Sequence, residues 1–254
     1  MYSKSRCIII KTIDFKDADK LVTLFSERQG KVRAIAKGIK KPNSSLRACV
    51  QPFGHSFFSF SRSRGLGLIT QGKLLDFYGF IRDDISLSLN TIYLMELLDK
   101  SLMENAPLAR LYQITVNVLE TLNNPELPYN PLLLRYYEMS LLKELGYMPL
   151  LDQCVSCNKS NVNLNFLSIS EGGTVCDVCA KQTRNNVTIS GESLAILRLL
   201  AHSNVTILAR VKISERSLRQ IELVLEKYLE YYLEQRLNVK DTIKTLKCRL
   251  SVTN

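Results

Sequence analysis

Four cysteines stand in two pairs, Cys154-Val155-Ser156-Cys157 and Cys176-Asp177-Val178-Cys179, with 18 residues between the pairs. This is the spacing of a four-thiolate zinc site. Each knuckle turns two sulfurs to one side, and two knuckles complete a tetrahedron with Zn–S bonds of about 2.3 Å. Four protein thiolates leave no open coordination position, so the expected cofactor is one structural Zn2+ per chain, not a hydrolytic centre. Between the pairs, Asn163–Ile169, a Glu171-Gly172-Gly173 turn and a return into Val175-Cys176 read as a short hairpin. The competing readings are four unrelated reduced thiols or a redox CxxC, for which a single pair would suffice. Cys7, Cys49 and Cys248 have no partner at ligand spacing and read as small core or surface residues.

The second pattern that could do chemistry is a run of cations. Within Gly30–Arg47 (GKVRAIAKGIKKPNSSLR), Lys31, Arg33 and Lys37 flank an apolar alternation of Val32, Ala34 and Ala36, which puts the charges on one face of a strand. Lys40, Lys41 and Arg47 follow in a loop with Asn43, Ser44 and Ser45, and Phe53, Phe57, Phe58 and Phe60 lead on to Arg62 and Arg64. A charged groove with aromatic platforms is how small barrels hold single strands, neutralising phosphates and stacking bases. Phe57 and Phe58 must point to opposite sheet faces, so at least one of them is core.

The charge is unevenly placed. The net charge is +10, and the first 80 residues, with 15 Lys/Arg against 5 Asp/Glu, carry all of it. Between Arg28 and Leu75 there are ten basic residues and no acid. Such one-sided charge collects polyanions, nucleic acid above all. A solvated basic face without a partner is the plain alternative, and no basic amphipathic helix points to a membrane surface.

Enzyme signatures are absent: no Walker loop, no GxGxxG after a strand, no HExxH and no GxSxG. Only His55 and His202 are available for acid–base work, and the adjacent Asp83-Asp84 suits a helix start better than a metal pair. Catalysis is not expected. With 254 residues, 46% of them hydrophobic, the chain can bury a core in two modules. No stretch approaches the ~18 apolar residues of a membrane span, and the four-residue run Cys7–Ile10 is too short for a secretory core. A cytoplasmic protein with thiols rather than disulfides is the expectation.

The elements that must position these residues change period near residue 80. Before it come short β-rich segments, Arg6–Ile13, Lys20–Ser26, Lys31–Lys37, Leu46–Val50, His55–Ser61 and Gly67–Leu75, which suggest a small antiparallel barrel. An SH3-like barrel would give the same pattern. After it the period is helical: Asp83 to about Glu104, a second helix opened by Pro107 and stopped at Asn123-Asn124-Pro125, and a third from Asn130-Pro131 to Gly146. Ser190 caps a helix to about His202, and Ser214 caps one to about Leu237, whose Leu218, Ile221, Leu225, Tyr228, Tyr232 and Leu233 stripe reads as bundle core. The expected fold class is α+β, with domains at 1–80 and 81–254 and a zinc-ribbon-like insert at 152–182.

Three segments in collinear order carry a resemblance: DKLVTLFSERQGKVRAIAKGIKKPNSSLRACVQPF (Asp19–Phe53), GLGLITQGKLLD (Gly65–Asp76) and LLLRYYEMSLLKELGYMPLLDQCVSC (Leu132–Cys157). Together they resemble the RecO family of bacterial DNA-repair proteins, most specifically in Gly30-Lys31, Ala36-Lys37-Gly38 and Leu145-Gly146-Tyr147. The resemblance implies an N-terminal OB-fold, a central helical domain and, in many members, a zinc-bearing insert. It also implies a recombination mediator that binds single- and double-stranded DNA, anneals strands, and acts with RecR and RecF to help RecA replace single-strand binding protein. A bacterial, nucleoid-associated location follows from it. Here Ile39 sits inside the basic loop, where the family has a more basic run. The nucleic-acid-binding candidates are Lys31, Arg33, Lys37, Lys40, Lys41, Arg47, Arg62 and Arg64. The neutral remainder of the chain is expected to meet proteins. Arg135 is the candidate for a carboxylate in the acidic tail of single-strand binding protein, against the plainer reading of a solvated arginine. A zinc-ribbon adaptor in transcription or RNA handling is the alternative function.

Overall fold

A computed structural model describes residues 2–61 and 66–239. The chain folds into two compact units: Met1–Pro128, to which the chain returns at Leu237, and Tyr129–Arg236.

The first unit opens with five strands, β1 (Tyr2–Phe15), β2 (Asp19–Ser26), β3 (Gly30–Ala36), β4 (His55–Ser61) and β5 (Gly67–Asp76). They close in the order β1-β2-β3-β5-β4, and every pairing is antiparallel except β3 with β5, which runs parallel. That order, with one parallel closure, is the OB arrangement and excludes the SH3-like alternative. Alternation decides the interior. Cys7, Ile9, Val22, Leu24, Ala34, Ala36, Phe58, Phe60 and Ile69 face inward and are buried. Leu46–Val50, expected as a strand, is a series of turns closed by Arg47 N–H to Ser44 O (3.2 Å) and Cys49 N–H to Leu46 O (3.1 Å). It contributes Cys49 and Val50, with Ile39, to the barrel core.

Three helices follow the barrel in this unit, α1 (Gly79–Asp83), α2 (Ile85–Ser101) and α3 (Ala109–Leu122). Asp84 caps α2, its Oδ1 accepting from Leu87 N–H at 2.9 Å. Beyond α2 the chain runs beside the part of β3 that β5 does not cover. Asn105 N–H donates to Lys31 O at 2.9 Å, and Lys31 and Glu104 form an isolated parallel bridge. This approach requires glycine at 30: φ is +72°, and a Cβ there would lie 1.9 Å from Ala106 O.

The second unit packs α4 (Leu132–Glu144), α5 (Gly191–His202) and α6 (Glu215–Leu233). Asn130 Oδ1 accepts from Leu132 N–H at 2.9 Å, and Ser190 and Ser214 cap α5 and α6 as their sequence positions suggested. Between α4 and α5 lies a three-stranded sheet, β6 (Phe166–Ser168), β7 (Gly173–Val175) and β8 (Asn186–Thr188), in the order β7-β6-β8. The expected hairpin is β6–β7; β8 is an addition that its three residues did not advertise. No helix among the described residues is long and apolar enough to cross a membrane.

Candidate nucleic-acid interface and metal centre

On β3 the alternation falls as the sequence indicates: Val32, Ala34 and Ala36 are buried and Lys31 and Arg33 point outward, while Lys37, just past the strand end, is exposed. Outward does not mean free, however. Asp99, near the end of α2, pairs with Lys31 at 2.9 Å and also with Lys11. Burial works against its charge, but these two ammonium groups hold the Asp99 carboxyl below the usual carboxylate range. Arg33 pairs with Glu104 at 2.5 Å. Lys31, whose side chain is only 14% exposed, therefore fastens the barrel to α2.

The remaining cations of the basic run gather where the β1–β2 turn meets the segment after β3. Gly38 N–H donates to Asp19 Oδ1 at 2.8 Å and Lys40 N–H to Ala18 O at 3.1 Å, which ties the two loops together. A cavity of about 240 Å3 lies here, lined by Lys20, Lys40 and Arg47 together with Asp14, Ile39 and Val50. Lys40 reaches Asp14 at 3.0 Å. Lys37, Lys41 and Arg47 are exposed and form no ion pair among the described residues. Ile39, the apolar interruption in the basic loop, is 2% exposed and anchors that loop to the core. Arg62 and Arg64 lie outside the described residues.

Of the four phenylalanines, Phe53, Phe58 and Phe60 are core, at 4%, 0% and 3% exposure. Phe53 lies under the Arg82 guanidinium, 4.0 Å from its ring centre. Only Phe57 is open, at 37%, and it sits in register between Arg6 on β1 and Lys73 on β5. Sequence reasoning passed over Arg6 because its neighbours on the barrel come from strands about 50 and 65 residues downstream.

In the second unit the four cysteine sulfurs converge: all lie within 4.8 Å of one another, with Cys157 Sγ 4.0 Å from Cys176 Sγ. A tetrahedron with ~2.3 Å bonds has edges of roughly 3.8 Å, so the cluster fits one ion. Burial raises the Cys154 pKa, but backbone N–H groups of Cys176, Cys157 and Ser156 outweigh it and hold the thiol down at about 6. At Cys154 that favours the thiolate, whereas hydrogen bonding to Cys176 and the neighbouring sulfurs push the Cys179 thiol up, so the fit to an ion rests on the convergence of the four sulfurs. The knuckles are held by close backbone approach. Thr174 N–H donates to Leu150 O at 2.8 Å, and a Cβ at Gly173 would lie 2.4 Å from that oxygen. Cys7 and Cys49 are instead buried in the barrel, and burial pushes both thiols up.

Arg135 is neither solvated nor open to a ligand. It is 3% exposed on α4, paired with Glu138 at 2.8 Å and with Glu222 of α6 at 3.3 Å. The sequence around it, LLLRYYEMSLL, has apolar residues on both sides of the helix, so an arginine here turns inward and takes a carboxylate at i+3 with it. A tail carboxylate has no access to it in this conformation.

Two family descriptions together match almost all of the chain: "Recombination protein O N terminal" over residues 1–78 and "Recombination protein O C terminal" over residues 82–241. The DNA repair protein RecO of Syntrophomonas wolfei is 53% identical, over 97% of this chain and 98% of that protein. Those of Oceanobacillus iheyensis and Bacillus pumilus are 35% and 32% identical, each over 91% of this chain and about nine-tenths of their own length. A closed five-stranded barrel with a basic rim, a four-cysteine cluster between helices, and matches running from end to end agree: this chain belongs to the RecO family of DNA repair proteins.

Proposed function

We propose that the protein is a recombination mediator that binds single- and double-stranded DNA through its barrel and anneals complementary strands. In this role it works with RecR and RecF to help RecA load onto strands coated with single-strand binding protein. The observation that carries the reading is the set of exposed cations after β3, Lys37, Lys41 and Arg47, none in an ion pair among the described residues, with Arg47 lining the concave site beside them. Its contacts are to phosphate and carry no sequence preference. The barrel is the DNA-binding module, and the insert at 152–182 holds one structural Zn2+ through Cys154, Cys157, Cys176 and Cys179. The thiolates supply the whole coordination shell, so the ion organises the insert and takes no part in a reaction. No residue is assigned a catalytic role. The protein works in the bacterial cytoplasm at the nucleoid. Its helical region meets the other proteins, including the acidic tail of single-strand binding protein, through residues other than the enclosed Arg135.

The test is annealing of complementary strands, each coated with cognate single-strand binding protein. Acceleration by the wild-type chain, and its loss in a Lys37/Lys41/Arg47→Ala variant, supports the reading. No acceleration, together with tighter binding of folded RNA than of mixed-sequence DNA, would replace it with the zinc-ribbon RNA adaptor.

A further inference from the structure

Annealing requires two polyanions to be held near each other, and the rim accounts for one. The barrel carries a second basic surface, and it is built differently. β4 lies between β1 and β5, and two successive outward rungs cross the three strands: Arg6–Phe57–Lys73 and Lys4–Ser59–Gln71. The inward residues of the same strands, Ser5, Cys7, Ser56, Phe58 and Phe60, are buried, so alternation sends Lys4, Arg6, Phe57 and Lys73 out together. Lys4, Arg6 and Lys73 are exposed, and none forms an ion pair among the described residues. Lys31, Arg33 and Lys40, which the sequence alone would rank higher, are all paired to carboxylates. The acids of these strands, Asp14 on β1 and Asp76 at the end of β5 opposite His55, lie off both rungs. At the centre stands the one exposed phenylalanine of the four in this region.

Cations flanking an open aromatic ring, with hydroxyl and amide groups on the next rung, suit a single strand: phosphates on Lys4, Arg6 and Lys73, a base stacked on Phe57. The surface is separate from the rim. Along β1, Arg6 and Asp14 are eight residues apart, roughly 26 Å at ~3.3 Å per residue.

We infer that the β1–β4–β5 face, centred on Phe57 between Arg6 and Lys73, binds a second single strand while the rim holds the first. The inference rests on the annealing function proposed above and gives it a mechanism: one small barrel carries both strands, which raises the concentration each experiences of the other.

The experiment uses the full-length chain, two differently labelled non-complementary oligonucleotides, and naked complementary strands for annealing. Wild type is expected to hold both labels on one chain. Arg6→Ser/Lys73→Ser is expected to keep one strand and to weaken capture of the second about 25-fold at 0.1 M salt, two phosphate contacts of about 0.7 log unit each. Annealing of naked strands should slow in parallel. Phe57→Leu keeps an apolar side chain in place and loses the stacking ring, so second-strand capture should fall with an unchanged melting temperature. Capture of both strands by both variants with wild-type affinity overturns the inference. So does a defect confined to strands coated with single-strand binding protein, which would make the face a site for an acidic protein segment. A wild-type chain that neither binds nor anneals strands would instead overturn the proposed function, so the two failures are distinguishable.

Discussion

Replacing Lys37, Lys41 and Arg47 with alanine removes three cations that nothing in the described structure neutralises. Replacing Lys31 and Arg33 removes two that carboxylates already occupy. The two sets stand close together in sequence and should behave oppositely. Each phosphate neutralised on a single strand contributes about 0.7 to the slope of log K against log salt, so the first variant should flatten that slope by about two units. At 0.1 M salt the same three contacts amount to a loss of affinity on the order of 100-fold, equal for every sequence. Its melting temperature should hardly move, since exposed cations contribute little to folding. The second variant should flatten the slope by no more than about 0.7, one phosphate's contribution, because Lys31 is enclosed with Asp99, whereas the half-exposed Arg33 can leave Glu104 at little cost. It should cost stability instead. The Arg33–Glu104 pair is half exposed on both sides and contributes almost nothing. The Lys31–Asp99 pair is largely enclosed, and its loss is worth about 1 kcal/mol, a few degrees in melting temperature. Fluorescence anisotropy over a salt series, paired with thermal denaturation, reads both quantities. A flattened slope in Lys31/Arg33→Ala with an unchanged slope in the triple variant would refute the assignment of free and engaged cations.

Three further outcomes are expected. Elemental analysis of protein purified without chelator should find one zinc per chain; Cys176→Ser should abolish it and make residues 150–190 sensitive to protease while barrel DNA binding persists. His55, half-buried against the Tyr112 hydroxyl at 2.8 Å, has its pKa lowered by burial first and by Arg6 second. Its contribution to stability is thus complete above the unfolded value of about 6.5 and is lost as pH falls through the lower folded value, so denaturation midpoints should decline below about pH 6.5 in wild type and less steeply in His55→Gln. Arg135→Ala leaves the wholly buried Glu138 carboxylate without this guanidinium and should destabilise the second unit by about 3 kcal/mol, measurable by chemical denaturation, whereas Glu222→Gln, at the exposed end of the same network, should cost under about 1 kcal/mol.

Much of the molecule was legible in its sequence because the responsible interactions are local. Cysteine spacing reports its own tetrahedron, since two residues between ligands fix a knuckle whatever surrounds it. The serine caps of α5 and α6 and the inward Val32, Ala34 and Ala36 likewise follow from neighbours a few residues away. What the chain order could not convey is which charge meets which. Lys31 and Arg33 read as a binding face until α2 and the residues after it bring Asp99 and Glu104 onto them across about 70 residues of sequence. Arg6, Phe57 and Lys73 share a rung only because β4 pairs with both β1 and β5. Arg135 is enclosed because α6 supplies Glu222 from 87 residues away. Local sequence sets the face on which a side chain emerges. Only the tertiary fold determines whether that face is left to solvent, a partner or an internal carboxylate, because Coulomb pairing depends on distance in space and is indifferent to distance along the chain.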